Sequence, residues 1–415
     1  SRGLSTGISI FAPSIVLSSL MGWNIYYTNL VMGGLLIIYT MSGGAKAVAH
    51  TQKLQMIIVF VALFIVGYLA VKLLPDAIGF TDALRKSGEM GKMNIITTGF
   101  TDKGFDWQDK YNIWSGLIGG FFLALSYFGT DHSQVGRYLT AKNMKESRLG
   151  LLMNGLVKVP MQFFILLLGI LIFSFYQFNK APIYFDQAKI TIAKQTVYKD
   201  SLTALENRYN LALSAGSLQE SKIVRAQYKN VLQQALPGQD TNDNNYIFLR
   251  FVMDYLPQGL IGLIIAIIFL ASWGSIAAAL NSLAAVTVVD FHKKFFVKDE
   301  TETKDYHVSQ WYTFGWGVFC IIIAMFAQNI GNSLIEAVNI LGSLFYGVIL
   351  GIFLVAMGLK FIKGHAVFYA AIVSEIFVIV IYQQAIVSFL WLNAIGAILV
   401  ILFASAFQLV SKQKA

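Results

Sequence analysis

The chain has 415 residues, of which 56% are hydrophobic and 13% are charged, and its mean hydropathy is +0.62. This composition excludes an ordinary water-soluble protein and indicates a protein that crosses a lipid bilayer. A formal net charge of +9 would suggest nucleic-acid binding in a soluble chain, but the lysines and arginines here fall mainly in short loops between apolar runs. Orientation in the membrane explains that placement, so no nucleic-acid partner is expected.

Ten largely uncharged stretches approach the roughly 20 residues that an α-helix needs to span a bilayer. In chain order they are 4–23, 27–42, 54–71, 113–130, 149–175, 258–290, 310–328, 334–359, 366–382 and 387–410. Glycine and proline occur inside several of them, which membrane helices tolerate. The sequence therefore predicts an all-α polytopic membrane protein with about ten transmembrane helices.

Loop charge predicts how these helices are oriented. Lysine and arginine are concentrated in alternate loops, such as 137–148 and 293–304, whereas the short opposing loops 24–26, 329–333 and 383–386 contain neither residue. By the positive-inside rule the charged loops are cytoplasmic, and the first helix runs outward. The chain has no initiator methionine and no signal peptide, so we interpret it as a fragment whose beginning is missing. The plasma membrane, which is the inner membrane in a bacterium, is the expected location.

A long polar insertion divides the chain into three regions, 1–179, 180–246 and 247–415. The middle region is predicted to form an extracytoplasmic helical hairpin. Apolar residues share one face of each arm: Leu202, Leu205, Tyr209 and Leu213 in the first, and Val224, Tyr228, Val231, Leu232 and Ala235 in the second. Gly216 is expected to end the first arm, and Ser217 with Glu220 to form a capping box for the second. A solvated decoration and a docking module for a protein partner both remain open.

Four stretches resemble the sodium:solute symporters, a family that includes sodium-coupled glucose, proline and sialic-acid transporters. They are "IIYTMSGGAKAVAHTQKLQM" (37–56), "SYFGTDHSQVGRYLTAKNMKESR" (126–148), "ASWGSIAAALNSLAAVTVVDF" (271–291) and "GSLFYGVILGIF" (342–353). Each is weak alone, but the four occur in the family's order and with its topology. The resemblance implies a five-plus-five inverted repeat, in which the first three helices here correspond to core helices 3–5 and the next five to core helices 6–10. The first two core helices are then missing, and two helices follow the core.

The resemblance also implies a sodium site on the helix predicted at 258–290. In the family an alanine carbonyl and two hydroxyls coordinate sodium there, and the matching residues are Ala271, Gly274 and Ser275. One hydroxyl is thus absent, which leaves three alternatives: Gly274 offers its own carbonyl, Ser272 substitutes for the missing hydroxyl, or the site is weaker or lost. Hard oxygen ligands suit a hard cation. The alternative is that these small residues only let another helix approach closely.

Other site residues are implied in the same way. Gln52 stands where the family usually has an aspartate near the sodium path, and an amide cannot neutralise a cation. Tyr127 and Asp131 fall where family members contact the solute. The alternative for Asp131 is a helix-terminal carboxylate that lies in water or pairs with an arginine such as Arg137. Related transporters have a lysine at the position of Lys158, although snorkelling of its side chain explains that residue equally simply.

The sequence therefore predicts a secondary active transporter, with sodium-coupled uptake of a small organic solute by alternating access. The chain contains no phosphate-binding loop, no paired nucleophile and base, and no metal-ligand cluster, so we predict neither an enzyme nor an organic cofactor. A membrane sensor or interaction protein that keeps the transporter fold without sodium coupling is the alternative, motivated by Gly274, Gln52 and the outer hairpin.

Overall fold

A computed structural model describes residues 1–42, 45–94, 96–139, 141, 143–296, 302–327 and 333–413. The helices, in chain order, are α1 (Arg2–Met21), α2 (Ile25–Ser42), α3 (Ala45–Lys72), α4 (Phe80–Glu89), α5 (Gly120–Thr130), α6 (His132–Leu139), α7 (Met144–Phe178), α8 (Gln187–Ala193), α9 (Lys199–Ser214), α10 (Leu218–Ala235), α11 (Ile247–Tyr255), α12 (Gln258–Val286), α13 (Lys293–Phe295), α14 (Glu302–Phe326), α15 (Leu334–Gly358), α16 (Gly364–Gln383) and α17 (Trp391–Gln413). Two short strands, β1 (Phe100–Thr101) and β2 (Gly104–Phe105), form an antiparallel pair.

Nine helices in the described ranges are long and apolar enough to cross a membrane: α1, α2, α3, α7, α12, α14, α15, α16 and α17. The remaining stretch predicted from the sequence, 113–130, is the fourth in chain order and is shorter than these nine helices. It begins with a π-helical turn at Ser115–Gly119, continues as α5 and ends at Thr130. The all-helical membrane architecture is confirmed, with nine such helices and one shorter apolar helix where ten were expected.

Contacts divide the chain into two compact units. The first unit comprises Ser1–Ser5, Asn94–Lys158 and Ile335–Ala415, and the second comprises Thr6–Met93 and Val159–Leu334.

In the first unit, glycines bring α15 and α17 into backbone contact. A methyl group added at Gly347 would lie 2.5 Å from the carbonyl oxygen of Asn393, and one at Gly351 would lie 2.9 Å from the carbonyl oxygen of Ala397. Gly396 faces the backbone of Gly347 and Val348 in return. Small residues allow this approach, which increases the packing contacts available where no hydrophobic effect operates between helices.

The second unit packs α2 against α14 in the same manner. Methyl groups added at Gly33 and Gly317 would collide with the side chains of Ile321 and Ile37, respectively. The buried Asn29 donates a hydrogen bond of 3.2 Å to the carbonyl oxygen of Ala324. Isoleucines on each helix therefore fill the gaps left by glycines on the other.

The outer insertion, α8 to α10, has its own apolar core within the second unit. Leu202 and Tyr209 of α9 pack with Val224, Tyr228 and Leu232 of α10, all of them buried. Every residue predicted for the two apolar faces belongs to this core or packs against it. Gly216 has φ of +69°, and the hydroxyl of Ser217 accepts a hydrogen bond of 3.4 Å from the backbone N–H of Glu220. The predicted helix end is therefore present, and Ser217 is the N-cap of α10. The reciprocal half of the predicted capping box is not formed, because the backbone N–H of Ser217 donates to the carbonyl oxygen of Ala212 and the Glu220 carboxylate accepts from Arg208.

One buried carboxylate ties the base of the hairpin together. Asp243, whose side chain is 0% exposed, accepts hydrogen bonds from Arg225 (2.9 Å), Lys229 (2.7 Å) and the backbone N–H of Phe185 (3.0 Å). Burial alone would raise the pKa of Asp243, but the two cations and the amide outweigh burial and hold the pKa below its ordinary value. The carboxylate thus joins α10 to the segment before α8.

We predict that Gly347→Ala destabilises the protein by roughly 1–3 kcal/mol, because its methyl group must displace backbone atoms of α17. The measurement is thermal unfolding of the purified protein in detergent. Gly358→Ala is the matched control, since a methyl group at Gly358 meets nothing within 4 Å. Equal melting temperatures for the two variants would contradict the close helix contact.

A second prediction concerns Asp243. The pKa of Asp243 is lowered in the folded state. The ionised carboxylate therefore stabilises the fold at pH values above the ordinary aspartate pKa, and this stabilisation is lost as the pH falls through the lowered pKa. Asp243→Asn should therefore speed amide hydrogen exchange in α10 at neutral pH, by a factor that corresponds to the roughly 3 kcal/mol cost of breaking a buried ion pair. The variant should also make the exchange rate in α10 depend less on acid pH.

Glu220→Gln is the control for Asp243→Asn, since Glu220 pairs with Arg208 at the surface and such pairs contribute about 1 kcal/mol or less. If both variants exchange alike at every pH, the buried carboxylate does not hold the hairpin.

Candidate solute and cation site

A membrane-length helical path is interrupted at Asp131. α5 ends at Thr130, Asp131 has φ of −74° and ψ of +112°, and α6 begins at His132. The Oδ1 atom of Asp131 accepts hydrogen bonds from the backbone N–H of Ser133 at 2.9 Å and from the Ser133 hydroxyl at 2.6 Å. Asp131 is therefore the N-cap of α6, and it satisfies backbone donors that the interruption leaves free.

The other oxygen of Asp131 faces two residues that sequence reasoning missed. Its Oδ2 atom lies 3.8 Å from Nη1 of Arg2 and 3.5 Å from the hydroxyl of Tyr346, and the aspartate side chain is 5% exposed. The carbonyl oxygen of Tyr346 accepts a hydrogen bond of 2.8 Å from Ser126. The partner of Asp131 is Arg2 on α1, whereas the side chain of Arg137, the example considered from the sequence, lies outside the described residues.

Tyr127 and Lys158 lie in the same unit as Asp131. The ring of Tyr127 is 6.2 Å from the ring of Tyr346, so it belongs to the same cluster. Lys158 is exposed on α7, and its amine lies 5.7 Å from the centre of the Phe128 ring, a cation–π distance. Polar, charged and aromatic groups that a solute can contact thus surround the helix interruption.

The residues implied for sodium lie in the second unit, on α12. This helix is regular from Gln258 to Val286, so it is not unwound at Ala271. Gly274 is buried and Ser275 is exposed. The side chain of Gln52 on α3 lies outside the described residues.

An apolar cavity of about 310 Å³ adjoins Ala271 and Ser272 on α12. It is lined by Val59, Ala62, Leu63, Val66, Phe248, Ile264, Ile267, Ile268, Ala271 and Ser272. The Ser272 hydroxyl and the backbone are the polar groups of this lining. One carbonyl and two serine hydroxyls are fewer oxygens than a bare cation needs, so α12 can supply only part of a coordination shell.

The C-terminal end of α12 departs from regular helix at a π-helical turn, Thr287–His292. The hydroxyl of Thr287 accepts a hydrogen bond of 2.9 Å from Nε1 of Trp316 and donates one of 2.7 Å to the carbonyl oxygen of Leu283. Nδ1 of His292 lies 3.2 Å from the hydroxyl of Tyr312. These contacts join α12 to α14, so this polar stretch packs two helices together.

We predict that Asp131→Ala lowers stability by about 1 kcal/mol or more, because the N-cap of α6 is lost, whereas Asp131→Asn retains most of it. Thermal unfolding in detergent compares the two variants. Ser133→Ala, which removes one hydroxyl donor and keeps the backbone bond, is expected to lie between Asp131→Ala and the wild type. An Asp131→Asn protein as unstable as Asp131→Ala would show that the charge, and not the cap, stabilises this point.

Known proteins identify the family. The sequence profile of the Sodium:solute symporter family matches residues 4–207 and 217–374. The rabbit (Oryctolagus cuniculus) sodium-dependent multivitamin transporter is 26% identical over 362 residues, which cover 85% of this chain and 45% of that protein. The human (Homo sapiens) sodium-coupled monocarboxylate transporter 1 is 25% identical over 352 residues, covering 84% and 47%. The chain thus spans about half the length of the curated relatives it matches.

A solved structure shows the same fold. It is the substrate-bound, outward-open state of a Na⁺-coupled sialic acid symporter, which superposes with a TM-score of 0.68 at 20% sequence identity and covers 99% of this chain and 73% of that one. At that identity the likeness establishes architecture alone. Together with the profile match, it shows that this multi-pass membrane protein is no enzyme and belongs to the sodium:solute symporter family.

Proposed function

We propose that the protein is a sodium-coupled secondary active transporter, which takes up a small organic solute across the plasma membrane by alternating access within a five-plus-five inverted repeat. The observation that carries the proposal is the family match along residues 4–207 and 217–374. Relatives named for monocarboxylate, multivitamin and sialic acid transport make organic acids the first solutes to test.

The interruption at Asp131 supports the solute part of this proposal. Transporters place substrates near the membrane midplane beside discontinuous helices, where half-helix ends offer unpaired backbone groups. Here Tyr127, Asp131 and Tyr346 lie at such an interruption. Lys158 lies beside the ring of Phe128, which is near the end of α5. In this proposal Asp131 and Tyr127 contact the solute, and Lys158 attracts its charge.

The cation part rests on α12. The Ala271 carbonyl and the Ser275 hydroxyl supply hard oxygen ligands, with Ser272 as a further donor beside the cavity. The exposure of Ser275 leaves its oxygen free to meet further ligands from outside the described residues. Gly274 removes a hydroxyl that the family pattern has, so sodium is expected to bind weakly.

The test is uptake into proteoliposomes of the protein, including any sequence that its gene encodes beyond these 415 residues. Labelled monocarboxylates and sialic acid are offered with and without an inward sodium gradient. We expect gradient-dependent uptake, and we expect Ser275→Ala to raise the sodium concentration for half-maximal uptake about fivefold, the equivalent of roughly 1 kcal/mol for one ligand. Gly274→Ser should lower it by restoring the hydroxyl pair.

Ser282→Ala serves as a control on the same helix, since Ser282 lies about two turns further along and outside the proposed ligand set. If uptake does not depend on the sodium gradient in the wild type or in Ser275→Ala, the proposed cation site on α12 is contradicted. Binding of a solute without transport would favour the alternative, a membrane sensor that keeps the fold; the outer hairpin would then be the candidate surface for a protein partner.

A further inference from the structure

One acidic residue lies deep inside a membrane-length helix. The nine membrane-length segments, with the span that begins at α12 taken as 258–295 and the span within α14 taken as 306–326, contain four acidic residues: Glu146, Asp290, Glu336 and Glu375. The first three lie near a helix end. Glu375 lies 11 residues from Gly364 and 8 residues from Gln383, or about 16 Å and 12 Å from the ends of α16. A glutamate side chain is shorter than either of these distances.

Polar oxygens at this point of α16 have no hydrogen-bond partner among the described residues. They are Oε1 of Glu375 and the hydroxyl of Ser374, and the Ser374 side chain is 0% exposed. Serine inside a helix commonly donates to the carbonyl four residues earlier. Adjacent buried polar groups that lack partners require an explanation, because each costs free energy when left unsatisfied.

The surroundings do not favour an ionised carboxylate. Ala370 and Val378, one turn before and after Ser374, belong to an apolar core with Val348, Leu392 and Val400. The membrane part of α17, residues 391–410, contains no acidic, basic, histidine or tyrosine residue. An isolated charge in such an environment is costly, and a carboxyl group avoids that cost by keeping its proton.

The charged groups nearby belong to the cluster around Asp131. The nitrogen of Ser1 lies within electrostatic reach of both Glu375 and Asp131. Asp131 is itself paired with Arg2 and lies beside the hydroxyl of Tyr346 on α15. The other titratable residues of α16 are His365, Tyr369 and Tyr382, toward its two ends.

We propose that Glu375 is a proton-binding site inside the membrane. Its carboxyl group binds a proton and exchanges it with water through the polar groups around Asp131. Where the proposed transport operates, this protonation makes uptake sensitive to pH in addition to sodium. The proton site itself does not depend on the identity of the solute.

The experiment labels the protein with dicyclohexylcarbodiimide, which reacts with protonated carboxyl groups in apolar surroundings, and locates the adducts by mass spectrometry. The protein carries an N-terminal tag, so that the Ser1 nitrogen is an amide without charge. We expect Glu375 to be labelled at pH 7, with labelling falling about tenfold per pH unit above its titration midpoint. Glu375→Gln should fold and lose the adduct.

Glu336 is the matched control, because its side chain is 7% exposed but forms an ion pair with Lys110. The hydrogen bond that the Lys110 amine donates to Glu336 raises the pKa of Lys110. Labelling of Glu375 no stronger than that of Glu336, or independent of pH, overturns the proton site. Labelling of Glu375 in a protein that shows no uptake supports the proton site and contradicts the proposed function instead.

Discussion

Hydrocarbon offers no hydrogen-bond partner to a polar group. Each polar atom in the spanning helices must therefore be hydrogen-bonded or paired within the protein, or take part in its function. This constraint explains where the helices end and where they can break. At the end of α5, Asp131 caps α6 with one oxygen and meets Arg2 and Tyr346 with the other. Outside the membrane the same rule is met by Asp243, whose charge is enclosed by two cations and an amide.

Run length and periodicity predict most of the helices. Long apolar stretches such as α15 and α16 differ from their predicted bounds by one or two residues, because hydropathy changes sharply at their ends. Both faces of the outer hairpin were predicted, since spacing of 3.6 residues places their apolar side chains together. The fourth stretch was predicted to end at residue 130, where α5 ends, but hydropathy does not register the π-helical turn at Ser115–Gly119.

The candidate site is less predictable, because its contacts join residues far apart in the chain. Tyr346 meets Asp131 across 215 positions, and no local pattern encodes that distance. The resemblance of the stretch "GSLFYGVILGIF" to a family indicated the segment that contains Tyr346. It did not predict that this tyrosine contacts Asp131. The proposed cation ligands Ala271, Gly274 and Ser275 follow helical spacing, whereas their usefulness depends on oxygens that α12 alone does not supply.

The contacts of Asp243 also limit where this region can be cut or transplanted. Asp243 lies in the stretch leading into α11, while Arg225 and Lys229 lie on α10. A chain break between α10 and Asp243 separates the carboxylate from the covalent connection that holds it beside both cations. The two helices of the hairpin are therefore expected to keep this ion pairing in another protein only when residues 225–243 are transferred as one piece.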